Sequence, residues 1–359
     1  MTSKPRESIL TLRILIFINA ILTKINRARN SKSNIQITGG LFLLAFAEIF
    51  MLQGVEPFAS WFYPLAWWSY ILIVDGIIFR LQGNSLIVSR RREFLVMVPW
   101  SVAFWLVFEM INIRMENWHY INIIGNLWLR WLGYFISFAT VLPGIFETYE
   151  LLGCFTLYSK VKTRLLIFPK SWLSVFPLLG ALFLLAPLIF PRYCFPLIWL
   201  GVFFLLDPIN YLYKSPSLMR DWGKGSFRRL LLLLTAGLIC GFLWEFWNFW
   251  ATSKWVYTVP FFERLKIFEM PLTGFFGFPP FAVEAFVFYN FISLFRFKRN
   301  WDKDGYLISP EKKLTKKAIL VVAIILLGFY VLAFHALDIC TVKSYSYPQN
   351  FYPPPPPNK

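Results

Sequence analysis

Residues 105–120 read WLVFEMINIRMENWHY, and residues 241–257 read GFLWEFWNFWATSKWVY. Each is the end of a long apolar run that carries a carboxylic acid, an asparagine three residues later, and then Trp-x-aromatic. Aligned, Glu109 meets Glu245 and Asn112 meets Asn248. After a one-residue shift, Trp118 and Tyr120 meet Trp255 and Tyr257. The match extends in both directions. Upstream, WSYILIVDGIIF parallels WLGVFFLLDPINY and sets Asp75 on Asp207. Downstream, VLPGIFETY parallels GFPPFAVEAF and sets Pro143 on Pro280 and Glu147 on Glu284. An ordered set of polar matches across three apolar runs signals an internal duplication, which has to be found before any fold is assigned.

The runs themselves give the class. Of the 359 residues 57% are hydrophobic, 20% aromatic and only 15% charged, whereas a soluble domain carries about 25% charged residues. Mean hydropathy is +0.56. A span needs about 20 mostly apolar residues. Candidates are 36–54, 60–81, 93–113, 126–158, 172–191, 193–213, 228–250, 270–295 and 317–339. The expected fold is therefore an all-α polytopic membrane protein of about nine transmembrane helices. Residues 36–158 form repeat 1 and 172–295 repeat 2, each of four spans, with 317–339 an extra helix resembling an ordinary lipid-facing anchor. Because four is even, both copies enter the membrane in the same sense, so the repeat is parallel, with its pseudo-two-fold axis along the membrane normal.

Charge supplies the orientation. Alternating from a cytoplasmic N-terminus puts 28 Lys and Arg on the inner side and 8 on the outer, together all 36 in the chain. Excess positive charge marks the cytoplasmic side. The net charge of +17 is thus read as a topology signal facing anionic lipid, not as nucleic-acid binding. The expected location is the inner or plasma membrane, N-terminus cytoplasmic and C-terminus outside. Residues 1–35 form a cytoplasmic segment in which 8–24, interrupted by Arg13, reads as an interfacial helix. Residues 340–359, with five prolines at 353–357, read as an extended tail.

The bilayer penalises a central charge by about 3 kcal/mol on insertion scales. Asp75, Glu109, Glu147, Asp207, Glu245 and Glu284 nevertheless lie within predicted spans: Glu109 and Glu245 toward the outer ends, Glu147 and Glu284 near mid-span, Asp75 and Asp207 toward the inner side. Salt bridges from Asp75 and Asp207 to the basic loops are one expectation. Glu109 with Asn112, and Glu245 with Asn248, share a helix face. Trp105 lies one turn from Glu109, and Trp244 and Trp247 flank Glu245. A carboxyl among apolar rings tends to keep its proton, which makes it a donor toward a weak base. Trp67, Trp68, Trp118, Trp128 and Trp131 read as interfacial aromatics. The loop between Lys254 and Gly277, with Glu263, Glu269 and Pro271, is placed to cap the outer mouth of a site between the repeats. The four cysteines read as buried small hydrophobes. His119 and His335 are unpaired, so neither zinc nor haem is called for, and no cofactor is expected. Phosphate-binding glycine loops, Ser/His/Asp sets and Asp-rich diphosphate motifs do not occur.

The order Trp244-Glu245, Trp255, Tyr257, Pro280, Glu284 and Phe288, echoed by Glu109, Trp118, Tyr120, Pro143 and Glu147, resembles the non-flavin membrane lycopene cyclases, which are built from two related halves. The resemblance spans roughly 250 residues at the level of architecture. Here Glu follows Trp where that family has Asp, a single Glu replaces its Glu-Glu, and each half has four spans where that family has about three. The resemblance implies redox-neutral chemistry. An acid protonates an isoprenoid alkene, the cation cyclises, and a base removes a proton. Glu245, Glu284, Glu109 and Glu147 would be catalytic. Asn112, Asn248, Trp244, Trp255, Tyr257, Trp118 and Tyr120 would bind a lipid-soluble substrate entering from the bilayer. Aromatic faces stabilise a desolvated cation by roughly 1–2 kcal/mol each. Two other readings fit the same residues: a proton-coupled transporter or lipid carrier, and a non-catalytic membrane assembly protein in which the polar residues join helices.

Overall fold

A computed structural model of the chain describes residues 31–261, 265–297, 300–302 and 314–346. The interfacial helix expected at 8–24, Glu263 and the proline tail lie outside these. Among the described residues nine helical segments are long and apolar enough to cross a membrane, and the chain is an all-α integral membrane protein. Repeat 1 contains α1 (Ser31–Leu52), α2 (Phe58–Gln82), α3 (Arg91–Met115) and a fourth span made of α4 (Leu127–Phe138) and α5 (Val141–Gly153). Repeat 2 contains α6 (Lys170–Ile189), a second span of α7 (Pro191–Cys194), a 3-10 turn and α8 (Ile198–Leu212), the short α9 (Leu218–Gly223), and α10 (Arg228–Trp250). Its last span is a 3-10 turn (Leu272–Gly277) running into α11 (Phe278–Leu294), and α12 (Lys316–Cys340) follows.

Local chemistry sets several of these ends. Gly83, at φ 70°, closes α2 in the left-handed region, where a residue without Cβ is unstrained. The Asn126 side chain accepts from the N–H groups of Trp128 and Leu129 at the start of α4, satisfying donors that a helix N-terminus leaves free.

The two repeats share their internal construction. In each, the first two spans pack through glycines. Gly40 and Gly76 bring α1 against α2, and Gly180 and Gly201 bring α6 against α8. A Cβ on Gly180 would stand 2.3 Å from the Leu205 backbone nitrogen, a separation only glycine allows. The spans of α1, α6 and α12 are mostly uncovered, with 11–17% of their residues buried, while the other spans are 39–61% buried. The centre is therefore α2, α3, α5, α8, α10 and α11.

Loops meet at two ends, as alternating spans require. At one end, β1 (Trp118–Ile121) pairs antiparallel with β3 (Lys254–Tyr257), and β2 (Ile123–Ile124) pairs in parallel with β6 (Tyr345–Ser346). Within the intervening loop of repeat 2, β4 (Lys266–Ile267) pairs with β5 (Met270–Pro271). At the other, Lys/Arg-rich end, Thr163 N–H donates to Gly225 O and Leu166 N–H to Trp222 O.

Buried polar contacts repeat with the helices. Asp75 accepts from Ser85 Oγ at 2.9 Å and from the Ile87 N–H at 2.7 Å. Asp207 accepts from Ser217 Oγ and the Met219 N–H, both at 2.9 Å. The expected salt bridges to basic loops are thus replaced by serine and backbone donors. Neutral donors hold a buried carboxylate without a second desolvated ion.

Three further expectations are corrected. Trp67 is not interfacial: it is fully buried, with its ring 5.1 Å from Trp247 and 5.5 Å from Trp244. Trp118 is buried as well, whereas Trp128 is 73% exposed. The ninth helix is more than a lipid-facing anchor. Its Asp338 accepts from Arg130 Nε and Nη2 at 2.8 Å each, from Trp131 Nε1 at 2.9 Å and from Tyr134 Oη at 3.0 Å. Of the cysteines, Cys154 and Cys240 are buried, but Cys194 is half-buried and Cys340 exposed.

Candidate functional site: two aromatic cavities beneath a two-fold ribbon

The β1–β3 register is Trp118 opposite Tyr257 and Tyr120 opposite Trp255. Since Trp118 corresponds to Trp255 and Tyr120 to Tyr257, the ladder is self-complementary, as a contact across a two-fold axis must be. The asparagines fasten each strand to its helix. Asn112 Nδ2 donates to Trp118 O at 2.8 Å while its Oδ1 accepts from the Asn117 N–H at 2.9 Å. Asn248 Nδ2 donates to Trp255 O at 2.9 Å, and its Oδ1 accepts from the Trp255 N–H at 3.0 Å. Both ends of each amide are used on backbone, so Asn112 and Asn248 position the ribbon and line neither cavity described below.

The ribbon in turn places its tyrosines on the carboxyls of α3 and α10. Glu109 accepts from Tyr120 Oη at 2.5 Å, Trp105 Nε1 at 2.8 Å and Trp118 Nε1 at 3.1 Å. Glu245 accepts from Tyr257 Oη at 2.8 Å, and its second oxygen has no partner among the described residues. Both glutamates are fully buried. The two tyrosines lie in the ribbon, outside the spans. Burial, reinforced by the neighbouring glutamate, holds each phenol well above its usual range, so both hydroxyls stay neutral.

Two apolar cavities flank this arrangement. The first, of ≈ 120 Å³, is lined by residues including Tyr63, Gly133, Ser137 and Val141. The second, of ≈ 80 Å³, has Phe195, Met270, Gly274 and Phe278 at the corresponding positions. Trp105, Tyr120, Trp244, Trp255 and Tyr257 line both. The cavities are thus pseudo-symmetric and share an aromatic wall, within which the Trp105 and Trp244 rings lie 6.3 Å apart. The loop expected to cap a site does so in part, since Met270, Gly274 and Gly277 line the second cavity and a Lys254–Glu269 ion pair at 2.6 Å braces the loop.

The four glutamates singled out in the sequence are divided by the structure. Glu109 and Glu245 stand behind the ribbon and line neither cavity wall: Glu245 reaches the cavities through Tyr257, and Glu109 through Tyr120, Trp105 and Trp118. Glu147 and Glu284 are fully buried on α5 and α11 and line neither cavity. Glu284 accepts from the Val202 N–H at 2.9 Å, and Glu147 lies beside Asp75. Of the aromatic residues singled out, Trp244, Trp255, Tyr257 and Tyr120 line both cavities and Trp118 lines the second.

Reading the sequence missed Tyr63, Tyr134 and Arg130 on the first cavity and Trp199 and Phe281 on the second. An arginine and an aspartate in separate apolar runs, Arg130 and Asp338, were a usable signal, because such residues pair when buried. No protein-family profile, curated protein or solved structure matches this chain.

Proposed function

We propose that this chain is a membrane enzyme performing redox-neutral acid–base chemistry on a lipid-soluble isoprenoid, in the manner of a carotenoid cyclase or isomerase. The observation that carries the reading is the pair of buried glutamates, each bonded to a tyrosine hydroxyl whose ring lines an apolar, tryptophan-walled cavity. A phenol oxygen both donates and accepts. With the carboxyl protonated, its O–H donates to the phenol oxygen, and the phenol O–H turns to the cavity. Proton transfer to an alkene carbon then draws the carboxyl proton onto the phenol and leaves a carboxylate. The substrate cation lies against the Trp105, Trp244 and Trp255 faces, which attract positive charge. Loss of a proton from a neighbouring carbon returns it by the same route. Bonds shift and no electrons leave, so substrate and product are isomers. Glu245, with one oxygen free, and Glu109, with three donors, are the two acid–base centres. Glu147 and Glu284, which line neither cavity, take no direct part in this step. Substrate enters from the bilayer, and no cofactor takes part. The Lys/Arg-rich end, with the N-terminus, faces the cytoplasm of a plasma or inner membrane, following the positive-inside bias.

The test is expression in hosts that make lycopene, squalene or longer polyprenoids, followed by lipid analysis. The expected result is a new product of unchanged mass. Its formation should fall about 100-fold in Glu245→Gln, within the range that general acid–base groups contribute, and should also fall in Tyr257→Phe. No new product with any of these lipids, together with a Glu245→Gln variant indistinguishable from wild type, would overturn the proposal.

A further inference from the structure

At the Lys/Arg-rich end, the exit of α8 and the short helix α9 enclose an open depression of ≈ 530 Å³ lined by Tyr211, Leu212, Lys214, Arg220, Gly223 and Lys224. Three of its six residues are cations. Lys214 and Lys224 are exposed, and Arg220 is half-buried. Arg220 is fixed in place: one Nη donates to Tyr211 O, and the guanidinium lies 5.5 Å from the centre of the Tyr211 ring. None of the three cations forms an ion pair among the described residues. By contrast, Arg90, Arg130, Arg229 and Arg296 are each paired with a carboxylate. Asp221 alongside is ion-paired to Arg229 at 2.8 Å and also lies within electrostatic reach of Lys224 and Arg220. The three cations of the depression thus outnumber the nearby Asp221 carboxylate, which Arg229 already pairs, and leave a net positive charge there.

Its rim has a second character. Leu212 and Tyr213 are 55% and 65% exposed, and Leu212 is the last residue of a membrane span. Apolar surface that faces acyl chains thus runs directly into the cationic depression. The duplication adds a third observation. The offset of 132 that superposes Asp75 on Asp207 brings Gln82, Val88 and Arg92 to the positions of Lys214, Arg220 and Lys224. Only repeat 2 assembles the three charges, although the carboxylate that ties the loop to the helix is present in both.

We propose that this depression is a binding site for the headgroup of an anionic phospholipid, its phosphate held by Lys214, Arg220 and Lys224 and its acyl chains lying along Leu212 and Tyr213. A basic recess at the end of a span recognises acidic headgroups by charge. The adjoining apolar strip selects an amphiphile over a free anion.

The test uses the purified full chain in detergent, titrated with phosphatidylglycerol or phosphatidylcholine and read by native mass spectrometry. Phosphatidylglycerol should bind in preference to phosphatidylcholine. The K214Q/R220Q/K224Q variant should bind it on the order of 100-fold more weakly, each cation near the surface contributing about 1 kcal/mol. A control on the same end, K160Q/K162Q/R164Q, should behave like wild type. Equal loss in both variants, or equal binding of the two lipids, would overturn the proposal. So would displacement by millimolar inorganic phosphate, which would make this a free-anion site. If the triple variant gives no folded protein, K214E/K224E replaces it, since both side chains are exposed and its only effect on this site is charge reversal. The outcome is independent of the enzymatic reading, because no catalytic residue is altered.

Discussion

Replacing Asp338 with Ala should undock the ninth helix. Asp338 and Arg130 retain 9% and 8% side-chain exposure, so the substitution leaves a nearly buried guanidinium without its counter-ion. Breaking a buried pair by removing one partner costs about 3–5 kcal/mol. The lower end applies, because Arg130 Nη1 keeps its bonds to Gly125 O at 2.7 Å and Ile124 O at 3.2 Å. About 3 kcal/mol corresponds to a change on the order of 100-fold in the docking equilibrium. Trp131 and Tyr134 lose an acceptor at the same time, so the loss should not be smaller. The complementary variant R130M/D338L removes both charges, and an apolar pair of similar volume is often neutral or better. It should recover most of the stability. The assay is reversible unfolding of the purified chain in mixed micelles, run as a double-mutant cycle over R130M, D338L and the pair. A coupling energy below about 0.5 kcal/mol, the scatter expected of independent sites, would refute the view that this ion pair fastens α12 to the fourth span.

Asp207→Ala and Asp75→Ala should each destabilise the chain by about 2–4 kcal/mol, because each strands buried serine and backbone donors at roughly 1–3 kcal/mol apiece with partial relaxation; similar losses in the two variants, measured by the same unfolding assay, follow from their matching hydrogen bonds. Gly180→Val should lower the midpoint of thermal unfolding, since even a Cβ at this position would meet the Leu205 backbone at 2.3 Å and overpacking costs about 1–3 kcal/mol. Gly133→Ala, with nothing within 4 Å, is the matched control and should leave the midpoint unchanged. In the lipid-conversion assay, Asn248→Ala should reduce product formation through loss of the Trp255 anchor, with partial recovery in Asn248→Asp, which keeps the acceptor for the Trp255 N–H.

Much of the architecture was legible because the bilayer limits what an apolar chain can do. A run of about 20 apolar residues has to become a helix to satisfy its backbone, so nine spans could be counted, and the Asp75/Asp207 and Glu109/Glu245 matches exposed the duplication. The partners of those carboxyls were less legible. Asp75 and Asp207 have basic loops as sequence neighbours, yet Ser85 and Ser217 satisfy them. Whether a loop offers a side chain or its backbone N–H groups depends on a turn geometry that composition does not encode. Trp118 went to the interior for a related reason. Amphipathic aromatics suit the interface, but an indole N–H is equally satisfied by a buried acceptor, as Trp118 is by Glu109.

Sequence alone therefore determined the membrane class, the span count, the parallel duplication and the short list of polar residues that the bilayer tolerates only when partnered. Only the tertiary structure decided how that list divides. Spacing along a helix shows that Glu109 and Asn112 share a face, but which groups meet across helices depends on how the two repeats dock. Docking through the self-complementary β1–β3 ribbon brings Tyr120 and Tyr257 onto Glu109 and Glu245 and leaves Glu147 and Glu284 away from both cavities. It also turns the ninth helix, an apolar run like any other in sequence, into a partner of the first cavity's wall. One long-range pair, Arg130 with Asp338, ties residues 208 positions apart, a separation over which no local pattern carries information.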